Sequence, residues 1–128
     1  MEREFFLAKG SPALVSENGW SPNTDIFETK TELIIRVEIA GVDKNRISVN
    51  LTEDTLRIRG RRMDVRHVER VYYHQMEIAY GPFEKVIVLP EPLRTNDIEA
   101  TYRDGILEIV ISKIASIKSE PITIRIED

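Results

Sequence analysis

Apolar and polar residues alternate along most of this chain with a period of two. Leu33, Ile35, Val37 and Ile39 are separated by Ile34, Arg36 and Glu38, and Ile47, Val49 and Leu51 by Ser48 and Asn50. Leu56 and Ile58 flank Arg57, with Arg59 following. Side chains on an extended backbone point alternately to opposite faces, so each run predicts a strand with one buried and one wet side. Asp25–Thr29, Val71–Tyr80 and Phe83–Leu89 read as further strands. Pro121–Ile126 reads as an extended tail with Ile122, Ile124 and Ile126 on one side.

The sharpest local signal is Ile98–Ser112. Asp104-Gly105 sits between two alternating runs, and a two-residue hairpin turn favours that pair because both positions need positive φ. Ile98, Ala100 and Tyr102 then share one face before the turn, and Leu107, Ile109 and Ile111 share one after it. The total is about eight or nine short strands with turn signals every ~8–12 residues and no convincing long helix. That pattern predicts an all-β fold, an antiparallel β-sandwich.

Residues 1–24 keep no lasting period, although Phe5, Phe6 and Trp20 are too many large apolar groups to leave in water. Lys113–Glu120 is a polar linker. The division expected is therefore an arm over 1–19, one domain over 20–112 and an extension over 113–128. The linker is longer than the ~2–5 residues a strand needs to return to its own sheet. It favours a tail that adds to the edge of another chain over one that closes its own sheet.

Composition narrows the function classes. The 128 residues are 41% hydrophobic and 31% charged, with net charge −4, which suits one globular domain and gives no global field for nucleic acid. The absence of cysteine removes disulfides, thiolate metal sites and a cysteine nucleophile, and fits a reducing cytoplasm. No apolar run approaches the ~18 residues of a membrane span, and the first residues lack the features of a signal peptide. Gly60–Arg70 carries Arg61, Arg62, Arg66 and Arg70 against Asp64 and Glu69. With no aromatic platform between the arginines, a charged loop or protected strand edge is the better account.

Catalytic candidates are few. His67 and His74 stand seven apart in irregular sequence with no carboxylate at a telling spacing, so neither a zinc site nor another cofactor is expected. Glu53/Asp54 and Asp97/Glu99 fall in turns or on polar strand faces, no serine sits in a nucleophile elbow, and no glycine loop precedes a helix. An enzyme has no residue to rest on, and binding is the better expectation.

The wording of several landmarks carries a resemblance. Ala100-x-x-x-Asp104-Gly105-Ile106-Leu107 resembles the A-x-x-x-N/D-G-V/I-L signature of small heat-shock proteins, which carry the α-crystallin domain. In order along the chain, Trp20-Ser-Pro-Asn-Thr-Asp25-Ile26 resembles the lead into that domain, and Val37-Glu-Ile-Ala-Gly41-Val42 its V-x-L-P-G-V. Leu56-Arg-Ile-Arg-Gly60 resembles L-x-I-x-G, and Tyr80-Gly-Pro-Phe83-Glu-Lys85-x-x-x-Leu89-Pro90 its Y-G-x-F-x-R-x-x-x-L-P. Ile122-Thr-Ile124 matches the tail motif I-x-I, and Ile124-Arg-Ile126 overlaps it as a second copy.

The resemblance implies an immunoglobulin-like sandwich and an ATP-independent holdase of the bacterial or archaeal type. Such a protein dimerises by strand exchange, assembles further through its tail, and keeps unfolding clients soluble for ATP-dependent chaperones. By that analogy Arg61–Arg70 is exchanged and pairs near Asp25–Thr29 of a partner, with Phe27 and Lys85 at the same interface. The tail would lie in a neighbour's groove between Ile47, Val49 and Leu51 on one side and Ile98, Ala100 and Tyr102 on the other. Phe5, Phe6, Leu7 and Trp20 would meet clients. Two departures are Ala40 for the family's proline, where Gly41 still makes the turn, and Lys85 for its arginine, which keeps charge but loses the planar fork. The short arm implies smaller assemblies. A non-oligomerising β-sandwich adaptor of the co-chaperone type is the alternative, and it would lack both the I-x-I tail and the arginine-rich loop. A small β-fold hydrolase would need an acid/base pair that the sequence does not offer.

Overall fold

The computed structural model describes residues 19–64, 71–90, 97–113 and 122–127. Among them nine strands form two sheets. The first has five strands in the order β1 (Thr24–Glu28), β2 (Glu32–Glu38), β7 (Ile106–Ser112), β6 (Ile98–Arg103) and β9 (Ile126–Glu127). The second has four, in the order β5 (Gly81–Val88), β4 (Thr55–Arg62), β3 (Ile47–Thr52) and β8 (Ile122–Ile124). All pairings are antiparallel except β6 with β9, which is parallel. The β-sandwich read from the sequence is the fold.

The alternation explains the layers. Leu33, Ile35, Val37, Leu107, Ile109, Ile111 and Ala100 point inward from the first sheet, and Val49, Leu51, Leu56, Ile58, Phe83 and Ile87 from the second. A register slip of one residue would turn each set outward, so the apolar pattern locks the pairing. In the β6–β7 hairpin, Ala100 opposes Ile109 and Tyr102 opposes Leu107, with all four on the inner face. Asp104 and Gly105 have φ of 54° and 80°, the two left-handed positions this turn requires. Gly41, at φ 78°, makes the turn after β2 in the same way, with Ala40 before it.

Two expectations are corrected. Val71–Tyr80 is no strand: it joins neither sheet, and Tyr72 (84% exposed), Met76 and Ile78 stand in solvent. Its alternation is real, but no strand among the described residues is paired to it. Trp20 does not offer its ring to clients. It is buried in the core against Phe83, ring centroids 5.3 Å apart, with its indole N–H donating to the carbonyl of Gly81. The tail pairs with both sheets: β8 extends one beside β3 and β9 extends the other beside β6.

Candidate assembly site

The groove between β3 and β6 is built by the inward face of each strand. Ile47, Val49 and Leu51 are buried on β3, while Ala100 is buried and Ile98 half-buried on β6. β3 and β6 would otherwise be edge strands, one in each sheet, so the groove presents two rows of backbone hydrogen-bonding groups beside apolar side chains. The tail uses both. Ile122 and Ile124 stand opposite Leu51 and Val49, then the chain crosses, and Ile126 stands opposite Ala100 on the other sheet. Ile124 is buried at the crossing and Ile126 is half-buried against the core. Thr123, facing outward, donates its hydroxyl to Asn50 Oδ1 at 3.2 Å.

Tyr102 is only partly a groove residue. It packs on the core, but its hydroxyl donates to the carbonyl of Ile39 and accepts from the amide of Val42 at 3.5 Å, so it braces the turn at Gly41. Of the family-signature residues, Asp104 and Gly105 make the turn, Leu107 is in the core, and Ile106 lines an outer depression.

The residues expected at a dimer interface divide into four groups. Phe27 and Asp25 lie exposed on β1, whose outer edge carries no strand among the described residues. The Arg36 guanidinium covers the Phe27 ring at 5.6 Å and ion-pairs with Glu108 at 2.8 Å. Asp25, Arg36 and Glu108 line a polar depression of about 550 Å³ on the outer face of the first sheet. Lys85 is elsewhere: only 4% exposed, it points inward from β5 between Phe83 and Ile87, and its ammonium donates to Ser21 Oγ at 3.2 Å. Arg61 is exposed and Arg62 half-buried at the end of β4. Arg66 and Arg70, like Phe5, Phe6 and Leu7, lie outside the described residues.

One cluster was missed from the sequence. Glu84 accepts from Arg59 Nε at 2.8 Å and from Arg57 Nη1 at 3.1 Å across the outer face of the second sheet. Burial pushes its carboxyl up, but the hydrogen bonds and charges of Arg59 and Arg57 outweigh that and hold it below its ordinary value of 4.5. The signal lay in the register, because aligning Gly60 with Phe83 sets Arg59 opposite Glu84.

Chemically the site offers strand edges and apolar pockets for an extended chain. Comparison with known proteins agrees with that architecture. The family model described as Hsp20/alpha crystallin family matches residues 25–127. Small heat shock protein C2 of Rickettsia felis is 31% identical over 86% of this chain and 71% of its own length. Among solved structures, hspA from Xanthomonas axonopodis superposes with a TM-score of 0.66 at 31% identity, covering 73% of this chain and 93% of that one. A small heat-shock protein from Xylella fastidiosa gives a TM-score of 0.68 at 27% identity, covering 78% and 92%. With the sandwich, the Asp104-Gly105 hairpin and the isoleucine tail all in place, the chain belongs to the Hsp20/alpha crystallin family of small heat-shock proteins.

Proposed function

We propose that this protein is an ATP-independent holdase that captures extended apolar segments of unfolding proteins and keeps them from aggregating. One observation carries the reading: the β3–β6 groove holds an extended isoleucine segment by adding strands to both of its edges. A site of that kind recognises backbone and apolar side chains together, without demanding a folded partner. The names of the Rickettsia felis and Xylella fastidiosa relatives support the same role. Phe5, Phe6 and Leu7 of the arm add client-binding surface, and the held clients pass to ATP-dependent chaperones.

Assembly follows from two surfaces. The dimer forms when the segment that follows β4 and runs through Arg66 and Arg70 crosses to the β1 edge of a second copy, near Asp25 and Phe27; Arg61 and Arg62 stay in β4, paired with β5 of their own chain. The exposed apolar residues of Val71–Tyr80 support that reading, since they offer a second copy what their own sheets do not use. Lys85, turned inward from β5, takes no part in this interface. Dimers then join through the tail, because a groove that accepts Ile122, Ile124 and Ile126 from its own chain accepts them equally from a neighbour's. The relative from Xylella fastidiosa, described as having a distinct high order structure, is consistent with such joining. Burying two isoleucines yields roughly 3–6 kcal/mol. Ordering each tail residue costs about 1–2 kcal/mol, so one docked tail nearly breaks even and exchange is expected to be quick. Several linked copies hold together through multivalency.

The seating of the tail in its own groove favours a second reading, a non-oligomerising sandwich adaptor whose groove is already filled. Mass in solution separates the two, since the adaptor stays monomeric. The holdase itself is tested by heating a labile enzyme with a twofold subunit excess of this protein and no ATP. Suppressed light scattering is expected; an unchanged aggregation curve would sink the proposal.

A further inference from the structure

Arg62 ends β4, and its strand partner across the sheet is Gly81 at the start of β5. The chain between them leaves the sandwich at Met63 and returns through Val71–Tyr80, so Arg62 stands at the base of this excursion. Two N–H groups of its guanidinium converge on the carbonyl oxygen of Ala79, Nε at 2.9 Å and Nη2 at 2.6 Å. Nη1 donates to the carbonyl of Ala40 at 3.1 Å. The guanidinium carbon lies 4.4 Å from the Trp20 ring centroid and 5.6 Å from that of Tyr80. One side chain therefore ties together the Trp20 segment, the turn after β2, the end of β4 and the returning limb.

We propose that Arg62 is a positioning residue for self-association, a latch that fixes the direction in which the limb Val71–Tyr80 stands off the sandwich. The inference rests on the reading of that limb as a surface for a second copy. Residues 71–78 are exposed and joined to neither sheet, so the fixed base at Ala79 and Tyr80 limits the directions they can take. A limb held in its binding pose loses less freedom on association than one that must be ordered. The latch depends on shape. Guanidinium is planar and presents its donors as a fork while stacking on an aromatic face, whereas an ammonium is a point charge that can do only part of this. The Trp20 ring lies under the guanidinium carbon and is itself fixed by packing on Phe83.

The test compares the full-length wild type with Arg62→Lys, Arg62→Ala and Tyr72→Ser, the last on the limb but outside the latch. The chain has no cysteine, so Gln75→Cys in each background takes a single spin label on the limb. Sedimentation gives the dimer dissociation constant, urea unfolding gives the stability of the sandwich, and the label reports limb mobility at dilutions where the chain is monomeric. Both Arg62 variants are expected to weaken the dimer tenfold or more and to free the label. Tyr72→Ser should weaken the dimer without freeing it. If Arg62→Ala fails to fold, Arg62→Lys carries the comparison by itself. Dimerisation within twofold of wild type in the Arg62 variants, or full rescue by lysine, overturns the latch while leaving the limb reading intact if Tyr72→Ser still weakens the dimer. A wild type that stays monomeric overturns both.

Discussion

Gly60 lies beneath the ring of Phe83. The two residues face each other across β4 and β5, and a Cβ on Gly60 would sit 2.4 Å from Phe83 Cζ and 2.9 Å from the carbonyl oxygen of Arg46. The ring covers the space a side chain would fill, and it is also in tilted contact with the Trp20 ring. The glycine of the L-x-I-x-G landmark is thus required by packing.

Gly60→Ala is expected to destabilise the sandwich by about 1–3 kcal/mol, since one added methyl forces the ring or the backbone to shift. Urea unfolding monitored through Trp20, the sole tryptophan, reads this directly because the indole packs on the displaced ring. An unchanged midpoint would show that Phe83 can turn aside freely.

The tail register predicts a cross-link. Asn50 and Thr123 are direct partners on the outer face of β3 and β8, so Asn50→Cys with Thr123→Cys should oxidise to a disulfide. In dilute protein the product is expected at monomer mass, and at assembling concentrations a ladder of linked chains should join it. Linkage only at other registers would refute the Leu51–Ile122 and Val49–Ile124 alignment.

Ile124 is buried against the core and Ile122 is aligned with Leu51, so Ile122→Ala with Ile124→Ala should weaken the hold on the tail. Folded dimers are expected, smaller than the parent assembly by light scattering. Persistence of the parent size would exclude the tail as the joining element.

The Glu84 carboxylate gives an acid limb to the stability curve. Its pKa is lower folded than unfolded, so its contribution is present above the ordinary value of 4.5 and is lost as pH falls through the folded value. Glu84→Gln should therefore lower stability at neutral pH and flatten the loss below pH 4.5. Parallel pH–stability curves for the two proteins would show that Arg57 and Arg59 leave the carboxyl unperturbed.

Much of the fold was legible because alternation reports which face of a strand is dry. Leu33 to Ile39, Ile47 to Leu51 and the Asp104-Gly105 hairpin each behave as their spacing implies. Val49 and Ala100, read as inward-facing from the same alternation, are both buried. Trp20 was misread because an aromatic residue outside a periodic run carries no mark of burial; a partner 63 positions away, Phe83, supplies it.

The sequence by itself determined the strands, their inward faces, the hairpin turn and the sandwich, because these depend on period and turn chemistry within a few residues. The tertiary structure decided which edges meet. Alternation in Val71–Tyr80 looks the same whether a strand beside it comes from this chain, another chain or none, and among the described residues none is paired to it. It also placed Ile124 and Ile126 on different sheets, turned Lys85 inward, and gathered Trp20, Ala40, Ala79 and Tyr80 around Arg62. Backbone groups pair with whatever edge the packed core brings within reach, and that reach is set by the folded whole.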